Sequence, residues 1–363
     1  MNIPFVDLHA QYLSIKKEID AAIASVIAET AFISGKYARQ FEADFAEWLG
    51  ISHVVACANG TDAIEIMLQA AGIGPGDEVI VPACSWISTS ETVSFVGAKP
   101  VFVDVSPHFY TIDVEKIEEK ITDRTRAIIP VHLYGQAANM QRIMEIAQAH
   151  DLIVIEDCAQ AHGATWQGQK VGTFGHGATF SFYPGKNLGA YGDAGCMVTR
   201  DEQLAKTARM IANHGQLKKH NHFMEGRNSR LDGLQGAILS VKLPYLNYWT
   251  QRRQQVAATY DRLLAEKGFL APQIAEGASH VYHLYVVQVE NREQVMKDLK
   301  AEGVACAVHY PTPLPFLPPY ADRKPQPTDY PASYAAKDRI LSLPIYPEMT
   351  EEMVAYVVEK LTS

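Results

Sequence analysis

Six apolar runs punctuate the first half of this chain: Val79–Val81, Val101–Val103, Ala127–Val131, Ile153–Ile155, Thr179–Phe182 and Met197–Val198. Several are apolar at successive positions, so both faces of the strand must be buried, and helical segments such as Met140–Ala149 separate them. That pattern constrains the fold to an α/β unit whose mostly parallel sheet lies between two helix layers. Sheets of this kind bind ligands beyond the carboxyl ends of their strands. An opening helix carries Ile15, Ile19, Ile23, Val26 and Ile27 at helical spacing. A strand over His53–Ala58 leads through Asn59-Gly60-Thr61 into a second helix, marked by Ile64, Met67, Leu68 and Ala71.

From about Leu243 the texture changes. A long polar helix through Arg252, Arg253 and Tyr260 precedes one strong strand, Val281–Val289, and a helix around Val295–Leu299. The chain's 363 residues exceed what one core usually serves. The expected division is a large domain over 1–242 and a smaller α+β domain over 243–363, with the helical segment 1–35 packing near the smaller one. Pro311–Pro331 reads as an irregular loop against the body.

A formal net charge of −9 leaves no basic face for nucleic acid. The five cysteines are scattered and never spaced CxxC, which favours free thiols in a reducing compartment. The first residues lack a leader pattern and no stretch reaches membrane-span length, so a cytoplasmic protein is expected. His220 and His222 stand at i, i+2 in a polar loop without a carboxylate or cysteine at ligand spacing, and no metal site is expected. No GxGxxG follows the first strand, so nicotinamide binding lacks its fingerprint.

Two strand ends carry the chemistry. Ile153–Ile155 ends in Glu156-Asp157, and the run Thr179–Phe182 continues through Tyr183-Pro184-Gly185 to Lys186. Taken singly, each residue is more often a helix cap or a surface lysine. Together they suit pyridoxal phosphate: an amine in a low-dielectric site becomes nucleophilic, and a carboxylate keeps the pyridine nitrogen protonated. Gly60 and Thr61 open a helix whose free N–H groups suit a phosphate, although plain capping by Thr61 would explain the hydroxyl as well. Ser181 projects opposite Phe180 and Phe182 and adds a hydroxyl to the same place. Trp86 follows another strand end, where an indole can stack on a planar ring. Gln160, three residues after Asp157, is a candidate partner for the ring's phenolic oxygen.

With these residues in place the chain resembles the DegT/DnrJ/StrS family of pyridoxal-phosphate-dependent nucleotide-sugar aminotransferases. The matching wording is Asn59-Gly60-Thr61-Asp62-Ala63, Glu156-Asp157-Cys158-Ala159-Gln160-Ala161-His162-Gly163, Ser181-Phe182-Tyr183-Pro184-Gly185-Lys186-Asn187, Asn228-Ser229-Arg230-Leu231-Asp232 and His309-Tyr310-Pro311, in that order. The resemblance implies an aspartate-aminotransferase-type fold and a homodimer with shared active sites. It puts the Schiff base on Lys186, the pyridine contact on Asp157, the stacking ring on Trp86, and phosphate contacts on Gly60, Thr61, Ser181 and the neighbouring subunit's Asn228. His220 stands where relatives often have tyrosine, and Gly233 and Gly236 replace common Glu and Ala, which should matter only to helix packing. His162, Tyr183, His309 and Tyr310 are expected beside the sugar.

The implied reaction moves an amino group from L-glutamate, through pyridoxamine phosphate, to a nucleotide-linked keto sugar, with Lys186 as the proton carrier. Relatives that act on 4-keto sugars typically carry a histidine before the lysine and a glutamate between glycines after it. Here Tyr183 and the Asp193 of Gly192-Asp193-Ala194-Gly195 stand instead, wording that resembles members aminating 3-keto sugars. Amination at C4, a dehydratase on the same fold and a non-catalytic sensor are the rivals. Lys186 speaks against the dehydratase, whose relatives carry histidine there.

Overall fold

The computed structural model describes residues 1–362. Its centre is a seven-stranded sheet of β1 (His53–Cys57), β2 (Glu78–Pro82), β3 (Lys99–Val103), β4 (Thr125–Ile128), β5 (Ile153–Asp157), β6 (Gly177–Ser181) and β7 (Gly195–Thr199), in the order β1-β7-β6-β5-β4-β2-β3. The ladders joining β3, β2, β4, β5 and β6 are parallel, whereas β7 runs antiparallel to both its neighbours. Each apolar run falls on a strand, with bounds displaced by up to three residues.

Strand alternation sorts the side chains into two cores. Ile80, Val103, Ile128, Val154 and Phe180 pack on one face with Phe41 and Phe45 of α3 (Gly35–Leu49) and Ile143 and Ile146 of α6 (Met140–Ala149). Val79, Val81, Ala127, Ile155 and Met197 pack on the other, under α4 (Gly60–Ala70) and α7 (Glu202–Ala212). The remaining helices of this part are α5 (Ser88–Phe95) after β2 and, N-terminal to α3, the pair α1 (Leu8–Ser14) and α2 (Lys16–Ala28).

A third core holds the C-terminal part. It joins Tyr260 and Leu264 of α9 (Leu246–Ala265), Tyr285 and Val287 of β8 (Tyr285–Gln288), Leu299 of α10 (Arg292–Ala301), Leu341 of β9 (Ile340–Leu343) and Val357 of α12 (Glu351–Leu361). Ile3 sits in this core too, its N–H donating to Gly303 O at 2.8 Å. Between α7 and α9 lies α8 (Gly233–Lys242), and α11 (Pro331–Ala336) precedes β9. Added Cβ atoms at Gly233 and Gly236 would lie 1.9 Å from Ala31 O and 2.9 Å from Tyr37 O, so these glycines let α8 seat against the segments flanking the start of α3.

The strand expected over Val281–Val289 is shorter. Val281 N–H donates to Gly135 O and Leu284 N–H to Tyr134 O, and Tyr282 takes φ of +47° between them. The first residues of that run are therefore drawn to the loop after β4 rather than to β9. Among the described residues no helix is long and apolar enough to cross a membrane.

Candidate active site

The carboxyl ends of β5 and β6 open into a cavity of about 600 Å³. Asp157 ends β5 and is 5% exposed. Its Oδ1 accepts from Ala159 N–H at 3.1 Å and its Oδ2 from the Thr89 hydroxyl at 3.1 Å; Thr89 Oγ1 in turn lies 2.8 Å from Ser85 Oγ. Burial pushes the carboxyl pKa up, while these donors and the Lys186 charge oppose the rise.

Lys186 enters the same cavity from a tight turn beyond β6. Its N–H donates to Tyr183 O at 2.8 Å, and Ala190 N–H donates to Phe182 O at 2.8 Å. A Cβ at Gly189 would lie 2.2 Å from Pro184 O, so only glycine closes this turn. Asn187 Nδ2 donates to Val281 O at 3.0 Å, tying the turn to the chain entering the C-terminal core. Burial lowers the Lys186 amine to about 8, against a smaller opposing pull from Asp157. A fraction of the amine is thus unprotonated near neutrality.

At the cavity's other end α4 begins. Asn59, not Thr61, is the helix cap: its Oδ1 accepts from Asp62 N–H at 2.8 Å. Thr61 is left facing the cavity, with Oγ1 2.7 Å from Ser88 Oγ. Ser181 lies across from Gly60, while Phe180 and Phe182 are wholly buried on the opposite side of the strand. Trp86 is 57% exposed on the cavity wall, its ring 5.6 Å from that of Tyr310.

Gln160 is buried rather than solvent-facing. Its Oε1 accepts from Tyr134 N–H at 2.7 Å, and its Nε2 donates to Tyr310 Oη at 3.0 Å. Tyr183, His309 and Tyr310 complete the rim. His309 Nδ1 lies 2.8 Å from Ser342 Oγ, and burial with the nearby Lys186 charge lowers its pKa to about 4. Its ring is neutral at physiological pH.

One expected residue is not on this wall. His162 is fully buried, its ring 5.5 Å from that of Phe180 and 5.6 Å from that of Phe182, and burial lowers its pKa to about 3. It belongs to the aromatic core beneath β6, which corrects its expected place beside the sugar. The signal that misled is its position after β5: the neighbouring Cys158, Ala161 and Ala164 are buried in the core that holds Phe180 and Phe182. Asn228, expected at the neighbouring subunit's site, is exposed on the segment after the 216–222 hairpin and does not line this chain's cavity.

Sequence reasoning also missed supporting residues. Glu156 is fully buried, and its carboxylate accepts from Gly172, Phe174 and Gly175 N–H groups at 2.7–2.9 Å and lies 3.1 Å from His132 Nε2. His132, Glu156 and Cys158 are close enough together to hold a metal ion, but these contacts engage both carboxylate oxygens, and Ala138 N–H donates to His132 Nδ1. A carboxylate inside an otherwise apolar strand was the available signal for Glu156. Thr89 carried none.

The geometry fits pyridoxal phosphate: an amine and a buried carboxylate face one cavity, an indole flanks it, and a helix start stripped of side-chain bulk closes one end. Residues 13–362 match the DegT/DnrJ/EryC1/StrS aminotransferase family. The chain belongs to that family. It is 46% identical to a protein of Geobacillus stearothermophilus named a pleiotropic regulatory protein, covering 99% of this chain and 98% of the other. It is 44% identical to the UDP-N-acetyl-3-dehydro-α-D-glucosamine 3-aminotransferase of Acidithiobacillus ferrooxidans, over 98% of this chain and 96% of that protein. Among solved structures, Streptomyces venezuelae DesV in complex with a ketimine intermediate superposes with a TM-score of 0.96 at 40% identity, covering 99% and 98% of the two chains.

Proposed function

We propose that this aminotransferase uses pyridoxal phosphate to transfer an amino group from L-glutamate to the C3 carbonyl of a nucleotide-linked keto sugar, for a surface glycan or a related deoxyamino-sugar product. The observation that carries the reading is the pairing of Lys186 and Asp157 across one cavity. Pyridoxal phosphate, when bound, supplies a carbonyl that condenses with amines and a ring that takes up the electrons left by a departing α-proton. Lys186 would hold it covalently, Asp157 at the ring nitrogen, Gln160 at the phenolic oxygen, Trp86 over the ring face, and Gly60, Thr61 and Ser181 at the phosphate.

Lys186 has the second task. Once free, its amine would take the proton from the donor's α-carbon and give it to the C4′ carbon of the cofactor, and it would reverse the transfer for the sugar. An amine titrating near 8 serves as base and acid alike. Asp157 would keep the ring nitrogen protonated, with Thr89 and Ala159 holding its oxygens. Tyr183, His309 and Tyr310 orient the hexose. A residue three before Lys186 stands beside the sugar and helps decide which carbonyl is presented. The name of the Acidithiobacillus relative supports C3.

The active unit in this reading is a homodimer, in which Asn228 completes the neighbouring subunit's phosphate site. Leu217, Phe223 and Met224 are exposed on the same hairpin region, an apolar surface suited to a second copy. Cytoplasmic location and the division at residue 242 belong to the same reading. The regulatory name of one relative favours a sensor, whereas the aminotransferase name of the other favours turnover.

The test is incubation with glutamate and a panel of nucleotide-linked 3-keto and 4-keto sugars, with product mass and NMR. Nitrogen on C4, or turnover of 4-keto sugars alone, would overturn the C3 assignment. No transamination of any member would favour the sensor.

A further inference from the structure

Lys242, the last residue of α8, is wholly buried. Its Nζ donates to Gly189 O at 2.7 Å and lies 4.4 Å from the centroid of the Tyr191 ring, and no carboxylate is within ion-pair distance among the described residues. Glu348 acts on it only at longer range, and burial lowers the amine to about 8. An ammonium placed in a protein interior without a counter-ion costs folding free energy that a hydrophobic side chain of the same length would not. Something other than stability must account for it here.

Its single hydrogen-bond acceptor is informative. Gly189 closes the turn that carries Lys186, three residues on, and its carbonyl faces α8. The same helix touches the turn's exit a second time: Gln235 Oε1 accepts from Tyr191 N–H at 2.8 Å. Gln235 and Lys242 are seven residues apart, two helical turns, and so share one face of α8. Asn187 Nδ2 fixes the opposite side through Val281 O.

We propose that Lys242 is a positioning residue for the reaction: with Gln235 it grips the Gly189–Tyr191 arm from α8 and so fixes how far Lys186 reaches into the cavity. The proposal rests on the reading of Lys186 as the residue that holds the cofactor. Lys186 must meet two carbon atoms in turn, and a displacement of its turn by a fraction of an ångström would spoil one of them. The charge on Lys242 makes its bond to the carbonyl short and directional, which a neutral donor on a flexible stem would not.

The experiment compares Lys242→Met, which keeps length and volume, with Lys242→Arg, which keeps a cationic donor. For Lys242→Met the melting temperature should change little, since removing the buried charge offsets the loss of the donor to Gly189 O. Its kcat should fall at least about tenfold with KM within about threefold, the pattern of a lost transition-state alignment. The pH midpoint of the bound cofactor's visible absorbance should move, and Lys242→Arg should restore much of both. Unchanged kcat and absorbance midpoint in Lys242→Met would overturn the proposal. So would a loss of rate that only follows a lowered melting temperature and is not restored by arginine. Borohydride labelling of the unaltered enzyme separates this from the reading beneath it: label on Lys186 with an indifferent Lys242→Met overturns the grip alone, whereas label elsewhere overturns both.

Discussion

A Cβ added at Gly60 would lie 2.6 Å from the Cβ of Ser181. The first turn of α4 and the end of β6 thus meet at a distance only glycine permits, and the contact brings helix N–H groups and the serine hydroxyl to one point. Gly60→Ala should push α4 off the strand while leaving the cores intact. Cofactor affinity should fall about tenfold or more, equivalent to about 1.4 kcal/mol or more, with far-UV circular dichroism unchanged. Equilibrium dialysis of the cofactor checks it, and unaltered retention would remove the start of α4 from the phosphate site.

Thr89 offers a test of how Asp157 is kept ionised. Thr89→Val preserves shape and removes one of the carboxylate's two protein donors. Burial already raises the Asp157 pKa, and losing the donor raises it further. A hydrogen bond to a charged group is worth about 1.5–3 kcal/mol, so kcat should fall roughly ten- to a hundredfold. Asp157→Asn should be worse, by about three orders of magnitude or more, because the charge itself goes. Steady-state kinetics on the two variants ranks them; an Asp157→Asn enzyme near the unaltered rate would make the residue a structural cap.

The Lys186 amine fixes a pH dependence for reconstitution. Its pKa is lowered from the ordinary lysine value to about 8, so below that pH the amine is mostly protonated and cannot attack a carbonyl. The rate at which apoenzyme takes up pyridoxal phosphate should therefore rise as pH climbs toward about 8 and level off above it. Stopped-flow absorbance at saturating cofactor gives the profile. A rise continuing to pH 10 would show an ordinary exposed lysine.

The sheet is legible in the sequence because its strands are apolar on both faces, a pattern few other folds use, and Asp157 and Lys186 are legible because strand ends bear ligands. What the sequence hides are contacts made by ordinary residues across long separations. Thr89 lies in an unremarkable Ser-Thr-Ser run, yet α5 delivers it to Asp157 across 68 positions. The cap of α4 falls to Asn59 and not to the nearby Thr61, since either side chain suits the role and only backbone angles decide. Tyr282 shortens an expected strand because its backbone turns toward the loop at Gly135, a tertiary pull with no local sequence signature.

His162 marks the same limit at the site. Packed between Phe180 and Phe182 and neutral, it should be replaceable by an apolar side chain. His162→Leu should leave the sugar KM within about twofold, as expected for a side chain that makes no contact with the substrate. Its stability should match or exceed that of the unaltered enzyme. The pH sign follows from linkage: the folded-state pKa of about 3 lies below the unfolded value of 6.5, so the unfolded chain binds the extra proton and stability is lost as pH falls through that window. The variant's advantage in chemical denaturation should widen below pH 6.5. A large rise in KM would instead return His162 to the sugar site.

Glu156 couples the core to the site most directly. Its carboxylate accepts three backbone N–H groups from the 172–175 loop, and His132 Nε2 lies within hydrogen-bond reach. His132 N–H donates to Asp157 O, and two residues later Tyr134 N–H donates to Gln160 Oε1. One buried carboxylate therefore holds the segment that steadies both Asp157 and Gln160. Glu156→Gln keeps the volume but turns an NH₂ toward donors that need an acceptor, leaving buried N–H groups unpaired at about 1–3 kcal/mol each. Urea unfolding should show a loss of about 2–4 kcal/mol. Cofactor dissociation, measured at a temperature where both proteins are fully folded, should also quicken, because the strand end bearing Asp157 has lost its brace. Lower stability with unchanged dissociation would confine Glu156 to the core and cut this link to the site.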